Sequence, residues 1–440
     1  MGPWLSLPRQ VSIYLPLAQL DLEQRISTPW VGSSNLSGQA IQQSIMLQRL
    51  EHNPNLGFYQ VGKQTFYSKP EALIAATKTG QFPEWNFSKH VFDAVEWDVE
   101  PTVGIRELYR LRALQLREKY DWIRCEASGG GDSTTAVLSF LNNGIHLDEV
   151  VFRYPKTGDK NVHNDPFNTK CENTLSEWEF AAKPLLAWIS VNHPKVKITV
   201  HDYSENMLEG NTDETWVFNS KDYFQPGHAF KHDNIGLIDH RRDADKGKSI
   251  CVLYGIDKPK MCIKDSKWYV YFMDLQANHC NSVVYEYDNI TNEYFYWTPD
   301  LPEIVHKQAH IIMKWFSLPQ NQFLQYLVRW PNHSIANRTA YEAMVKPLIY
   351  PDYDPSTFQV AKPTNSFYNE MDFWFYKNFQ ETKAYSVWKA GLQLLVNNID
   401  SKYFNKELDQ PVGFVGFLSP FYYLGPAQYV NSGVNSFNKF

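Results

Sequence analysis

Residues 120–144 of this 440-residue chain are YDWIRCEASGGGDSTTAVLSFLNNG, and their pattern changes twice within that stretch. Residues 120–127 are mostly apolar and have the composition of a β-strand, whereas residues 128–133 form a glycine-rich turn. Residues 134–142 favour a helix that stops at the Asn-Asn-Gly end of the stretch. The stretch therefore predicts a strand, a tight loop and a helix in immediate succession.

The segments on either side extend this pattern into an alternation of helices and strands. Residues 103–119 carry apolar side chains at helical spacing, and residues 175–191 carry a second apolar stripe that Pro184 would kink or split. Strand-like apolar runs cover residues 149–154, 196–200 and 250–254. Strands that alternate with helices in this way are typical of a parallel sheet. We therefore expect an α/β fold with a doubly wound parallel sheet.

Three regions are expected along the chain. Residues 1–102 mix short apolar stretches with turn signals and a helix over residues 71–79, which indicates a small α+β region. Residues 103–275 contain the alternating α/β pattern. Residues 276–440 combine aromatic, strand-like runs such as residues 282–297 with helices, and we expect this region to contact a substrate or a partner.

Composition limits the classes of function that the chain can serve. Apolar residues make up 43% of the chain and charged residues 20%, as in globular proteins. The net charge of −6 supplies no overall positive field for nucleic acid or an anionic membrane. The five cysteines include no C-x-x-C pair, which argues against a disulfide framework, a zinc ribbon and an iron–sulfur site. Because neither a signal peptide nor an apolar run of about 18 residues is recognisable, we expect a cytoplasmic protein without a membrane partner.

The loop at residues 128–133 has the composition of an anion site. Three consecutive glycines let a ligand approach the backbone without a Cβ in the way. The loop amides and the N-terminus of the following helix would face that ligand with positive dipoles. Ser128, Ser133 and Thr134 add hydroxyl groups. The carboxylate of Asp132 fits such a cradle if it binds a magnesium ion that bridges phosphate oxygens.

A second glycine-bearing fragment, at residues 247–249, matches only the end of a Walker A loop. The Walker A pattern is G-x-x-x-x-G-K-[ST], and Arg242 occupies the position of its first glycine. The fragment also precedes the strand at residues 250–254, whereas a Walker A loop follows a strand. We therefore interpret residues 247–249 as an ordinary loop.

The sequence SGGGDS at residues 128–133 resembles the S-G-G-x-D-S pyrophosphate loop of the N-type ATP pyrophosphatases, the PP-loop superfamily. That superfamily includes asparagine synthetase, GMP synthetase, NAD synthetase and PAPS reductase. Residues 106–144 are also similar to PP-loop proteins of tailed bacteriophages. The resemblance implies an adenine nucleotide alpha hydrolase-like fold, of the HUP type, for residues 103–275, and it leaves the flanking regions unassigned.

The resemblance implies a Mg²⁺-dependent cleavage of ATP to AMP and pyrophosphate. An acceptor oxygen on a small molecule or a base attacks the α-phosphate, and the resulting adenylate then supports amidation-type or modification chemistry. The implied pyrophosphate-binding residues are Ser128, Gly129, Gly130, Gly131, Ser133 and Thr134. Asp132 would hold Mg²⁺ and would form the catalytic set with Ser133 and Lys258. Phe152 and Tyr154, at the end of the second strand, would lie near the adenine.

A second segment, residues 250–260, resembles the strand and Gly-x-basic sequence of the PAPS reductase branch. This resemblance implies that Gly255 and either Lys258 or Lys260 approach the ATP phosphates, with a solvated turn as the alternative. A PAPS reductase-like activity is disfavoured, because that branch needs a reactive cysteine near its C-terminus and the last cysteine here is Cys280.

The sequence also admits a function without catalysis. A nucleotide-binding module of a phage assembly would use its aromatic C-terminal region to bind a protein partner or a second copy of the chain. The presence of both Asp132 and Ser133 favours an enzyme over such a module, because a site that had lost its catalytic activity would tolerate the loss of these residues. The acceptor, and whether it belongs to a nucleic acid, stays open.

Two weaker constellations have simpler interpretations. His228 and His232 would share one face of a helix, but Pro226 and Gly227 favour a loop and hence no metal site. Asp352 and Asp354 would form a carboxylate pair, although turn formation explains both.

Overall fold

A computed structural model of the chain describes residues 54–154, 178–202, 214–218, 224, 246–275, 289–331, 335–352, 379–407 and 410–427. The strands within these ranges are β1 (Phe58–Val61), β2 (Gln64–Phe66), β3 (Glu84–Asn86), β4 (Trp122–Glu126), β5 (Glu149–Tyr154), β6 (Lys197–Asp202), β7 (Ile250–Tyr254), β8 (Lys260–Lys264), β9 (Lys267–Tyr271), β10 (Ile290–Tyr294), β11 (Phe404–Glu407), β12 (Gln410–Phe414) and β13 (Tyr422–Pro426). The α-helices are α1 (Lys69–Thr79), α2 (Lys89–Phe92), α3 (Ile105–Lys119), α4 (Gly131–Leu141), α5 (Lys183–Asn192), α6 (Glu303–Ser317), α7 (Ile335–Ile349) and α8 (Lys383–Asn398).

The central sheet has the strand order β10-β7-β4-β5-β6, and all of its strands are parallel. In its middle, Cys125 of β4 lies between Val150 of β5 and Leu253 of β7. These apolar side chains are buried, as expected for a parallel strand that is covered on both faces. A parallel sheet with helices confirms the predicted α/β class and is compatible with double winding.

The strand order reverses direction next to β4. The chain runs outward from β4 through β5 to β6, and it then returns to the other side of β4 to form β7 and β10. The carboxyl ends of β4 and β7 therefore flank a topological switch point. In open α/β sheets, ligands bind in the crevice outside the carboxyl ends of the strands at such a point.

The ends of two helices, α1 and α5, can be compared with the ends predicted from local sequence. Helix α1 ends at Gly80, which caps it in the left-handed conformation, as the sequence predicts. The predicted helix over residues 175–191 is different, because a π-helical turn, Trp178–Ala182, precedes α5. Pro184 lies in the first turn of α5, so the helical stretch is divided next to the proline, as the predicted kink or split at Pro184 allows.

The sheets cross the predicted region boundaries. Strand β10 lies beyond residue 275, yet it pairs in parallel with β7 and completes the central sheet. Strand β13, near the carboxyl end of the described residues, pairs with β9 in a separate antiparallel sheet. The chain divides into residues 1–48 and 49–440, and both predicted boundaries fall within the second unit.

A buried ion pair joins the three predicted regions. The ammonium of Lys69 in α1 lies 2.7 Å from a carboxylate oxygen of Asp274, and their side chains are 2% and 0% exposed. The hydroxyl of Tyr59 donates to the same carboxylate at 2.7 Å, and the backbone N–H of Phe417 donates to its second oxygen at 2.7 Å. Removal of one partner of a buried pair typically costs about 3–5 kcal/mol, so these segments depend on one another.

Candidate functional site

The glycine-rich loop connects β4 to α4 and closes on itself through its two serines. The backbone N–H of Ser128 donates to Oγ of Ser133 at 3.1 Å, and Oγ of Ser133 donates to the carbonyl of Gly130 at 3.3 Å. Oγ of Ser128 accepts from the N–H of Gly130 at 3.3 Å. The N–H of Thr134 bonds the carbonyl of Gly130 at 2.9 Å and so begins the helix. The loop is therefore ordered by its own side chains.

Close backbone packing explains two of the glycines around this loop. Gly129 has φ of +76°, and a Cβ there would lie 2.5 Å from the carbonyl carbon of Ala181. A Cβ on Gly255, just after β7, would lie 2.8 Å from the nitrogen and Cα of Ser133. The structure therefore brings together the two segments singled out by sequence, at the switch point between β4 and β7.

Lys258 connects these two segments by charge. Its ammonium lies 2.8 and 2.9 Å from the carboxylate oxygens of Asp132 and 3.0 Å from an oxygen of Asp257. The residue is only 4% exposed, so the alternative of a solvated turn is wrong for this side chain. Burial alone would lower the pKa of Lys258, but the two carboxylates raise it well above its ordinary value. Lys258 is therefore a buried cation shared by two acids.

Lys260 is linked to Lys258 through Asp257, which forms an ion pair with both lysines. Its ammonium is 2.7 Å from the second carboxylate oxygen of Asp257 and 3.7 Å from a carboxylate oxygen of Glu342 in α7. Burial would raise the pKa of Asp257, yet Lys258 and Lys260 lower it. The pKa of Glu342 is lowered in the same way, against the effect of burial. Acids and bases thus alternate from Asp132 to Glu342, and Lys258 is the base next to the loop.

Two buried tyrosines complete the surroundings of Asp132. The hydroxyl of Tyr350, just after α7, donates to Oδ1 of Asp132, and the hydroxyl of Tyr296 donates to its backbone carbonyl at 2.7 Å. Burial is the largest cause that raises the pKa of both phenols, and the charge of Asp132 raises both further, for Tyr296 after that of Tyr109. Both hydroxyls therefore remain protonated donors. Sequence reasoning missed these tyrosines, as well as Asp257 and Glu342, because no motif marks them.

The residues expected near an adenine have other surroundings. Phe152 is buried, and its ring stacks on Trp178 with centroids 5.3 Å apart. This ring therefore belongs to the core and offers no exposed surface for a base. Tyr154 ends β5, but its side chain lies outside the described residues.

The fragment at residues 247–249 lies at the opposite end of the same strands, before β7. The backbone N–H and Oγ of Ser249 donate to the carboxylate of Asp121 at 2.9 and 2.8 Å. The carbonyl of Ser249 in turn accepts from the N–H groups of Asp121 and Trp122. These bonds tie the amino ends of β4 and β7 together and confirm the interpretation as an ordinary loop.

The remaining candidates are structural or undescribed. Cys125, Cys251 and Cys262 are free and buried, and burial raises the pKa of each thiol, as expected of packed side chains. Asp352 pairs with Arg106. Outside the described residues lie Cys171, Cys280, His228, His232 and Asp354. Across the described ranges, no group of three or more His, Cys, Asp or Glu side chains is arranged to hold a metal.

No protein-family model matches the chain, and no curated protein matches it. Among the helices that the structure describes, none combines the length and the apolar character needed to cross a membrane.

Proposed function

We propose that the chain is a Mg²⁺-dependent ATP pyrophosphatase of the PP-loop type, which transfers adenylate to an acceptor oxygen and releases pyrophosphate. The observation that carries this proposal is the meeting of two segments at the switch point. The glycine loop after β4 contacts Gly255 after β7, and Lys258 reaches Asp132 at 2.8 Å. A nucleotide at this crevice would contact both segments at once.

The loop has the properties of a phosphate cradle. It leads directly into α4, whose first N–H groups and dipole favour a negative charge. The hydroxyl of Thr134 is buried beside the loop, and none of the described residues forms a hydrogen bond with it. An unpaired buried hydroxyl is costly, and a phosphate oxygen would satisfy it. These features support an anionic ligand at the start of α4.

The carboxylates around Lys258 fit a divalent cation that is bound together with phosphates. The ammonium of Lys258 is a cation that already lies among three carboxylate oxygens, two from Asp132 and one from Asp257. Magnesium prefers oxygen ligands and usually takes one or two carboxylates plus substrate phosphates. Asp132 and Asp257 would therefore hold Mg²⁺, and Lys258 would turn toward the phosphates.

The proposed reaction needs little acid–base chemistry from the protein. The acceptor oxygen attacks the α-phosphorus in line, and the bond to the bridging oxygen breaks as pyrophosphate leaves with both bonding electrons. The loop amides, Ser133 and Lys258 would hold the leaving pyrophosphate and stabilise its growing charge. Asp132 and Asp257 would hold Mg²⁺, which when bound would supply further neutralisation of this charge. Tyr350 and Tyr296 would keep Asp132 in position through their hydrogen bonds to its side chain and its carbonyl.

Calorimetric titration of MgATP tests the proposal. We expect Asp132→Asn and Ser133→Ala each to weaken binding by about 2 kcal/mol, or roughly 30-fold. Ser249→Ala is the matched control, because it removes a loop serine at the other end of the sheet and should leave the affinity unchanged. Absence of binding, or equal binding by all variants, would refute an ATP site in the loop.

A nucleotide-binding module without turnover is the second candidate. One observation favours it: both carboxylate oxygens of Asp132 are already occupied by Lys258 and Tyr350. The two candidates differ in pyrophosphate release, which an enzyme shows with ATP and its acceptor and a module does not. In a module, the aromatic C-terminal region would bind a protein partner or a second copy of the chain.

A further inference from the structure

A second group of charged side chains lies close to the glycine loop, at the carboxyl ends of β4, β5 and β6. Arg124 and Glu126 lie on either side of the buried Cys125 along β4. Their side chains therefore share the face of the sheet opposite that of Cys125. Arg153 of β5 and His201 of β6 are directly paired and lie on the same face. We call these four residues the Arg124 cluster.

The cluster is held together by hydrogen bonds to one carboxylate. Nε of Arg124 donates to Glu126 at 3.2 Å, and Nε and Nη2 of Arg153 donate to the two oxygens of Glu126 at 3.1 Å. Nη2 of Arg124 donates to Nε2 of His201 at 2.9 Å. Burial, followed by the charges of Arg124 and Arg153, lowers the pKa of His201 to about 4. His201 is therefore neutral at pH 7 and accepts this bond.

One part of Arg124 is left unsatisfied. The side chain is 0% exposed, and its Nη1 is buried without a hydrogen-bond partner among the residues that the structure describes. A guanidinium is always charged, so it cannot avoid this cost by losing a proton. Buried charged donors without partners are rare in proteins, since each costs more than a neutral one. A bound oxyanion would supply the hydrogen-bond acceptor that Nη1 of Arg124 lacks among the described residues.

The location of the cluster relates that donor to the nucleotide. Glu126 is the last residue of β4 and is separated from Ser128 of the glycine loop by Ala127 alone. The N–H of Ala127 donates to Val151 at 2.8 Å and keeps this junction in the sheet. A group bound to Arg124 would therefore lie at the same edge of the sheet as the loop.

We propose that Arg124 binds an oxyanion, a carboxylate or a phosphate group carried by the acceptor molecule, and thereby orients that acceptor toward the loop. The proposal rests on the proposed function for its acceptor, but the anion site itself does not need ATP. Guanidinium groups recognise planar carboxylates and phosphates through paired N–H donors. The acceptor class is accordingly an acidic small molecule or a nucleotide.

Histidine NMR of the whole protein tests this site without knowledge of the acceptor. The probes are inorganic phosphate and acetate, titrated separately into protein that carries ¹³C,¹⁵N-labelled histidine, and the His201→Gln spectrum assigns the resonance. We expect one or both anions to shift the His201 signal saturably at millimolar concentrations. The negative charge should also raise the pKa of His201 from about 4. The anion that acts at the lower concentration indicates the acidic group of the acceptor.

Two arginine variants separate the site from general charge effects. Arg124→Met should weaken the effect of the anion on His201 at least about 10-fold, because it removes the donor and keeps most of the volume. Arg110→Met, which removes a partly exposed arginine of α3, should leave the response unchanged. A His201 signal that ignores both anions in the wild type would overturn the proposal, and so would an equal response in Arg124→Met. If Arg124→Met does not fold, the wild-type titration still decides.

The same samples keep this proposal apart from the proposed function. MgATP affinity should stay within about 3-fold of wild type in Arg124→Met, since the hydrogen bonds of this arginine go to Glu126 and His201 and not to the loop. In the wild type, a His201 signal that does not respond to either anion, together with intact MgATP binding, would refute the anion site alone. A response of His201 in a protein that does not bind MgATP would refute the ATP site alone.

Discussion

The two ends of β4 and β7 carry loops of similar composition and different roles. The loop at residues 128–133 and the loop at residues 246–249 each contain glycine, serine and a charged residue. At the carboxyl ends, the charges converge on Asp132 and include a buried lysine. At the amino ends, Ser249 and Asp121 satisfy each other, and only the strands are connected. Position relative to the strands, more than composition, accounts for the different surroundings of the two loops.

Lysine substitutions at the two ends of β4 and β7 should show the largest difference in the free energy of unfolding. Lys258→Met leaves Asp132 and Asp257 without their shared cation, and we expect a loss of about 3–5 kcal/mol in the free energy of unfolding. Lys248→Met removes a cation that lies 4.8 Å from the ring of Trp122 at the surface, which should cost about 0.5–1 kcal/mol. Chemical denaturation of both variants measures the difference.

Magnesium sharpens this test. If Asp132 and Asp257 hold a divalent cation, Mg²⁺ should restore part of the stability of Lys258→Met and leave Lys248→Met unchanged. Equal stabilisation of both variants would mean that the carboxylates at the switch point do not select the ion.

Glycine substitutions should give the next largest contrast. Gly255→Ala places a Cβ 2.8 Å from the backbone of Ser133, so we expect a loss of about 2–3 kcal/mol together with weaker MgATP binding. A Cβ at Gly247 would have no atom within 4 Å, so Gly247→Ala should lose only about 1 kcal/mol of stability, which its φ of +77° costs a residue with a side chain. Urea midpoints and calorimetry on both proteins check this prediction. Equal losses of stability would show that the contact between Gly255 and the loop is dispensable.

The pH dependence of stability should show the smallest difference between the two ends of the strands. The pKa of Asp257 is lowered by Lys258 and Lys260 against the effect of burial, and that of Asp121 is lowered by hydrogen bonds from Ser249. A folded-state pKa below the unfolded value gives stability that is present above about pH 4 and is lost as the pH falls through the folded value. Asp257→Asn should therefore flatten the loss of stability below pH 4. Asp121→Asn, which alters an exposed group, should change it little. Urea midpoints between about pH 2.5 and 6 report the slopes.

Local signals made much of the central fold predictable. The strand, loop and helix at residues 120–144, strand β7 and the end of α1 at Gly80 all follow from apolar runs and glycine positions. Strand β10 lies in the predicted strand-like run at residues 282–297, but its place in the central sheet was not predicted. Nothing in its composition says that it pairs with β7 instead of a neighbouring hairpin.

The surroundings of Asp132 were predictable only in part. Lys258 stood out because it follows a strand and a glycine. Tyr350 is separated from Asp132 by 218 residues, and Tyr296 by 164. No periodicity or short motif connects residues at such distances, since their meeting depends on how α7 and the segment after β10 pack. Phe152 shows the reverse case, in which a suggestive aromatic residue belongs to the core.

The buried pair of Lys69 and Asp274 has a practical consequence for anyone who would produce the predicted α/β region alone. A fragment limited to residues 103–275 would keep Asp274 and lose Lys69, Tyr59 and the Phe417 amide. It would also lose strand β10 and thus expose the edge of β7. Expression of that fragment should give insoluble protein, and the shortest useful version has to begin before β1 and extend through β13.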